Sequence, residues 1–159
     1  MTRLPSPYRP RVLAPIKRVA GIEYDLLDEL LGYSLRRAQV AMFLDFHAAT
    51  RGLEITPPRF TALVLVGANP GVSQTMLGAA LGIARSGAMM LADWMVGRGL
   101  AERRRHLEDG RIWGLHLTAV GERLVKQMKR RVRAEDRKAS GLSAAERRRL
   151  LRLLEKLAA

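Results

Sequence analysis

The chain has no cysteine and only three histidines, His47, His106 and His116. Disulfide frameworks, thiolate zinc sites, a nucleophilic cysteine and thiol redox sensing are therefore excluded. Three imidazoles leave little for a histidine-built metal site. Acidic residues are scarce: 15 Asp and Glu stand against 28 Lys and Arg, a formal charge of +13 at pH 7. Such a surplus repels itself unless a polyanion is near, which points to nucleic acid or an anionic membrane. No Gly-rich phosphate loop follows a strand pattern, and no nucleophile–His–carboxylate set or metal-ligand spacing stands out. Neither an enzyme nor a resident cofactor or metal is expected. A membrane span is also missing. Residues 60–84 carry no charge, but Asn69-Pro70-Gly71 breaks the run, and Ser73-Gln74-Thr75 follows; a span needs roughly 20 continuous apolar residues.

What is present suits a folded helical protein. Hydrophobic residues make up 48% of 159 residues, enough for a core without staples. Residues 1–24 read as an extended, partly mobile basic arm: four of the seven prolines (Pro5, Pro7, Pro10, Pro15) lie there with Arg3, Arg9, Arg11, Lys17 and Arg18. No apolar segment follows that would make it a secretory signal.

Residues 25–51 predict one long helix, with Leu27, Leu31, Leu35, Ala38, Met42, Phe46 and Ala49 at steps of three and four. Thr56-Pro57 predicts a helix start, with Thr56 as cap and Pro57 at the first helical position. That helix ends at Asn69-Pro70-Gly71. Ser73 then caps a short helix closed by Gly82, and 84–97 forms the next, with Ala88, Leu91, Ala92 and Met95 inward. After Gly99 the period changes to two. Residues 100–105 and 111–118 predict two strands around Glu108-Asp109-Gly110, where Asp-Gly is a hairpin signal. Residues 119–139 return to helix, with Val120, Leu124, Met128 and Val132 as the apolar row. Ser143-Ala144-Ala145-Glu146 matches a capping box before a leucine-rich last helix.

The order helix, helix, tight turn, helix, β-hairpin over 56–118 has winged helix-turn-helix proportions. The second helix of such a pair is the one that fits the DNA major groove. Gly99-Leu100-Ala101-Glu102-Arg103-Arg104, then Asp109-Gly110-Arg111, then Leu117-Thr118-Ala119-Val120-Gly121, resembles the signature of the MarR (multiple antibiotic resistance regulator) family. Leu77, Leu81 and Gly82, and Leu91, Asp93 and Met95, match its two helix-turn-helix helices. The resemblance covers about residues 25–157.

The expected fold class is mainly α with a small β-hairpin. A winged helix-turn-helix domain over 56–118 would be joined to a helical dimerisation region over 25–55 and 119–159. The resemblance implies a cytoplasmic homodimeric transcription regulator, a repressor gripping a pseudo-palindromic operator in double-stranded DNA and released by a small-molecule effector. The expected DNA contacts are Ser73, Gln74, Thr75, Arg85, Ser86 and Met89 from the helix pair, with Arg103, Arg104 and Arg105 on phosphates and Asp109 orienting Arg111 at the wing tip. This chain departs from the family at Gly87, Met89 and Met90, where polar or basic residues are common, so hydrogen-bonding base readout should be thin.

The resemblance further implies an effector pocket between the first helix, the helix at 56–67 and the fifth helix. Phe43, Phe46, Phe60 and Leu63 would be its walls, with Arg36, Arg37 and His47 as polar groups; taken one by one, the phenylalanines read more readily as plain core. Lys126, Lys129, Arg130, Arg131, Arg133, Arg137 and Lys138 crowd like charges at i,i+4 spacing in 119–139. That arrangement costs helix stability unless an anion is near or solubility repays it. The effector expected is an aromatic acid or its acyl-CoA thioester. The alternative is a sequence-indifferent architectural DNA-binding protein.

Overall fold

The computed structural model describes residues 14–105, 113–139 and 141–158. The chain forms two compact units, one drawn from residues up to Ala48 and from Asp136 onward, the other spanning Ala49–Glu135.

The second unit starts with α2 (Pro57–Ala68). Pro57 occupies the first turn, where its missing N–H costs nothing. Thr56 holds the cap position in extended conformation, but its hydroxyl makes no capping bond, contrary to expectation. At the far end the Asn69 side chain and backbone N–H both donate to the Leu65 carbonyl, at 2.9 and 3.0 Å. Pro70 cannot extend the helix. Gly71, at φ 88°, turns the chain so that its N–H reaches the Leu115 carbonyl at 2.8 Å.

That turn launches β1 (Val72–Ser73), a two-residue strand too short to show any periodicity in the sequence. With β2 (Ala101–Arg105) and β3 (Trp113–Leu117) it makes a three-stranded antiparallel sheet in the order β1-β3-β2. The expected hairpin is thus one strand short of the sheet. The register pairs Val72 with Leu115 and Arg103 with Leu115 from the other side. The hairpin turn itself, 106–112, lies outside the described residues.

Ser73 caps α3 (Gln74–Leu81) by accepting the Met76 N–H at 3.2 Å. Gly82 ends it in the left-handed conformation, φ 62°, which only glycine adopts without strain. Three residues later α4 (Arg85–Gly97) begins, bent 113° from α3, within the range of a helix-turn-helix. Gly78 allows this close crossing: a Cβ there would stand 3.2 Å from the Ala88 Cβ. No single helix among the described residues is long and apolar enough to cross a membrane.

Leu63, Val66, Leu77, Met95, Leu115 and Met128 are fully buried and come from α2, α3, α4, β3 and α5 (Ala119–Ala139). Each contributes about 1.5–3 kcal/mol of burial, so this core joins four helices to the central strand of the sheet. Val120 is exposed, unlike the row expected for α5. Gly121, Val125 and Met128 are its buried residues, because Gly121 must face the strand. Thr118 donates its N–H to the Leu100 carbonyl at 3.0 Å and its hydroxyl to the Gly99 carbonyl at 2.7 Å. The same oxygen accepts the Gly121 N–H at 3.1 Å, capping α5. A Cβ on residue 121 would lie 2.9 Å from the Leu100 carbonyl carbon and closer still to its oxygen.

In the first unit the helix expected over 25–51 is interrupted. A 3-10 turn spans Asp25–Asp28, and α1 covers Leu31–Ala49. Asp25 takes φ 44°, which a continuous α-helix does not allow. Within 14–24, Arg18 pairs with Asp28 at 2.5 Å and stacks 4.7 Å from the Tyr24 ring, while the Tyr24 hydroxyl accepts the Val19 N–H at 3.0 Å. The last helix, α6 (Ala144–Ala158), begins with the expected capping box. Ser143 donates its hydroxyl and N–H to Glu146 at 2.6 and 2.8 Å, and the Glu146 N–H reaches the Ser143 hydroxyl at 3.3 Å.

Two tests follow from these contacts. Gly121→Ala should destabilise the protein by about 3 kcal/mol, since backbone has to move. Gly97→Ala, where a Cβ meets nothing within 4 Å, should be neutral or up to about 1 kcal/mol stabilising; urea unfolding measures both. The Ser143 side chain, then its backbone, hold the Glu146 carboxyl below its ordinary value of 4.5. A depressed carboxyl stabilises the fold above that ordinary value and loses the effect as pH falls through the folded one. Glu146→Gln should therefore reduce helical circular dichroism on heating above the ordinary carboxylate range, and the difference should vanish as pH falls through the lowered value.

Candidate nucleic-acid interface

The outward face of α4 carries Arg85, Ser86, Met89, Met90 and Asp93, at steps of one and three that keep them on one side of the helix. All five are exposed, while Ala88, Ala92 and Met95 are buried on the opposite side. This division follows from the sequence: small or flexible apolar residues at i, i+4 and i+7 seat the helix on the core.

A carboxylate on such a face would repel phosphate. Asp93 does not stand alone: Arg103 reaches it from β2 at 2.5 Å. With its amide turned so that the oxygen faces Arg103, Gln74 at the start of α3 accepts from the same guanidinium at 3.0 Å, through Nε and Nη. One arginine thus links β2, α3 and α4. Sequence reasoning named Asp93 only as a family match and missed its pairing with Arg103. Its signal was available, an acidic residue on the polar face of the helix just before a basic strand.

The three strand arginines are not equivalent, because side chains alternate across a sheet. Arg103 and Arg105 share one face, and Arg105 lies 5.3 Å over the Trp113 ring. Arg104 is on the other face, paired with Glu102 and bordering a cavity of about 180 Å³ lined also by Pro70, His116, Leu117 and Glu122. Reading them as one run of phosphate contacts overlooked this period of two.

The remaining predicted residues fall as follows. Ser73 spends its hydroxyl on the α3 cap, and Thr75 is exposed in the first turn. Asp109 and Arg111 lie outside the described residues. In the first unit, Arg36 is exposed on α1, and Phe43, Phe46 and His47 are half-buried, with the last two rings edge to face at 6.3 Å. Arg37 donates Nε to the Ile16 carbonyl at 3.2 Å and lies 5.9 Å over Tyr33. It therefore holds chain rather than waiting as an open anion grip. In the second unit Phe60 is half-buried and Leu63 is wholly core. Beside it, Arg59 stacks 4.5 Å over Trp94, and burial there, with Arg98 nearby, lowers its guanidinium pKa.

A MarR family model matches residues 53–112. A protein of Thauera aromatica, named for transcriptional regulation of the hcr operon, is 33% identical over 129 residues, 80% of this chain and 78% of that one. The chain belongs to the MarR family. The transcriptional repressor CouR, solved bound to a 23-mer DNA duplex, is 37% identical with a TM-score of 0.80, covering 87% of this chain and 99% of that one. CouR bound to p-coumaroyl-CoA is 37% identical with a TM-score of 0.75, covering 86% and 97%. The winged-helix architecture and the role of transcription regulator follow from membership. The family's Leu-Thr-x-x-Gly element is the Thr118–Gly121 clasp on Leu100.

The link through Arg103 can be weighed directly. Its partners are partly exposed, with side-chain accessibilities of 31% and 58% for Arg103 and Asp93, so solvent screens the pair. A double-mutant cycle over Arg103→Ala and Asp93→Ala, read by urea unfolding, should return a coupling of about 0.5 kcal/mol.

Proposed function

We propose that the protein is a homodimeric repressor that grips a pseudo-palindromic operator through α4 and the wing, and is released by an aromatic acid or its CoA thioester. The observation that carries the reading is α4: the second helix of a 113° pair presents one exposed stripe, with its single carboxylate neutralised by Arg103. In this reading Arg85 and Ser86 enter the major groove and Arg105 meets phosphate. Asp109 and Arg111, assigned by sequence resemblance, form the wing tip at the minor groove.

Dimerisation is supported by α6. Leu150, Leu151, Leu153, Leu154 and Leu157 are 36–56% exposed in the single chain, an apolar surface that a soluble helix covers with a partner. The dimerisation region is assigned to 25–55 and 119–159, and the DNA-binding domain to 56–118. A thioester effector is favoured by the basic residues of α5 and by likeness to CouR, which is solved with p-coumaroyl-CoA. Within the first unit, Arg36 and half-buried Phe43 and Phe46 are the ligand residues proposed, while Arg37 donates to the Ile16 carbonyl.

The formal charge of +13 favours one other reading, sequence-indifferent DNA coating. Light scattering should give twice the 17.7 kDa chain mass. Fluorescence anisotropy over a salt series, with a duplex selected from a random pool and a scrambled control, separates the two readings. The repressor binds the selected duplex about 10³-fold tighter or more, and p-coumaroyl-CoA releases it. Arg111→Ala should cost about 1–3 kcal/mol on the selected duplex and less on the scrambled one. Equal affinity for both duplexes would overturn the proposal.

A further inference from the structure

The middle of the α4 stripe lacks the side chains that ordinarily read bases by hydrogen bonding. Arg85 and Ser86 are confined to the first turn, and the Asp93 carboxylate is spent on Arg103 at 2.5 Å. Gly87 presents no side chain, and Ile83 closes over it, 3.4 Å from where a Cβ would stand. What remains is Met89, 50% exposed, and Met90, 70% exposed. Two large apolar side chains are thus held in water at the centre of the reading face, with no core position to fill.

We propose that Met89 and Met90 read thymine by contact with its C5-methyl group, so that each half-site is specified in the major groove by apolar contact rather than by hydrogen bonds. The inference rests on the assignment of α4 as the reading helix. Within the major groove the thymine methyl is the one apolar group that distinguishes a base pair. An unbranched, polarisable methionine adapts to it without the fixed geometry that a hydrogen bond demands. The contact also removes from water the apolar surface that the free protein exposes. The half-sites should therefore carry thymines at the positions opposite the second turn of α4, on either strand.

The test uses the full-length protein and the tightest duplex it selects from a randomised pool. Each half-site thymine is replaced in turn by deoxyuridine, which deletes the methyl group and leaves every hydrogen-bonding atom in place. Wild type should lose about fourfold in affinity per methyl contacted, the ordinary worth of one buried methyl. Met89→Ala/Met90→Ala should bind thymine and uracil duplexes alike, whereas Met89→Leu/Met90→Leu, which keeps the apolar surface, should retain discrimination. Both positions are exposed and helical, so circular dichroism should be unchanged. Equal wild-type affinity for the two duplexes, or discrimination that survives the double alanine change, overturns methyl reading alone. If the wild type binds no selected duplex better than scrambled DNA, the assignment of α4 as a reader falls, and this inference with it.

Discussion

Among the described glycines, Gly121 leaves the least room for a Cβ, because the start of α5 lies against the Leu100 carbonyl. Residue 121 has no room for a Cβ there, and Thr118 ties the two segments with three hydrogen bonds, two to the backbone of Gly99 and Leu100 and one closing the helix cap. This clasp fixes where α4 ends, where β2 begins and the direction in which α5 leaves the sheet. With Leu100 anchored, the alternation along β2 is set. Arg103 then faces α4 and Arg104 faces away. The charge pattern on the exposed face of α4 therefore follows from the strand register that this clasp sets.

Arg103 converts that geometry into electrostatics. Without it, Asp93 would leave an unpaired negative charge on the exposed face of α4. With it, the pair is neutral overall and Gln74 is held in the same network. The stability gained is small because the groups are solvated. Their value lies in position: one guanidinium keeps the wing strand, the first helix of the pair and the second in a common register, so that exposed residues on all three meet a ligand together. The cost is one arginine fewer for phosphate.

The first unit is organised on a different principle. Around α1, arginines lie over tyrosine rings and hold a second partner: Arg18 over Tyr24 pairs with the Asp28 carboxylate, and Arg37 over Tyr33 donates to the Ile16 carbonyl. These contacts pin residues 16–28 with little apolar burial. Its leucines on α6 stay in solvent within one chain.

Much of the helical scaffold was legible in residue order, because its signals are local. Pro57 at a first turn, Ser73 and Ser143 as caps, Gly82 as a left-handed stop and the inward row Ala88–Ala92–Met95 each act within a turn or two of chain. The family signature was legible for the same reason, since Gly99-Leu100 and Leu117-Thr118-x-x-Gly121 are short motifs. The break at Asp25–Leu30 escaped because heptad-like leucines continue across it, while the backbone at Asp25 does not. Strand β1 escaped because two residues carry no period. The long-range partners of the arginines escaped, unlike the local Ser143–Glu146 box. Composition and spacing by themselves determined the class of fold, its basic character and the existence of the helix pair. Which arginine neutralises Asp93, which one turns to the other side of the sheet and which one is tied to Ile16 depended on strand register and chain return. Those join residues 10 to 30 apart, a distance over which no local propensity acts.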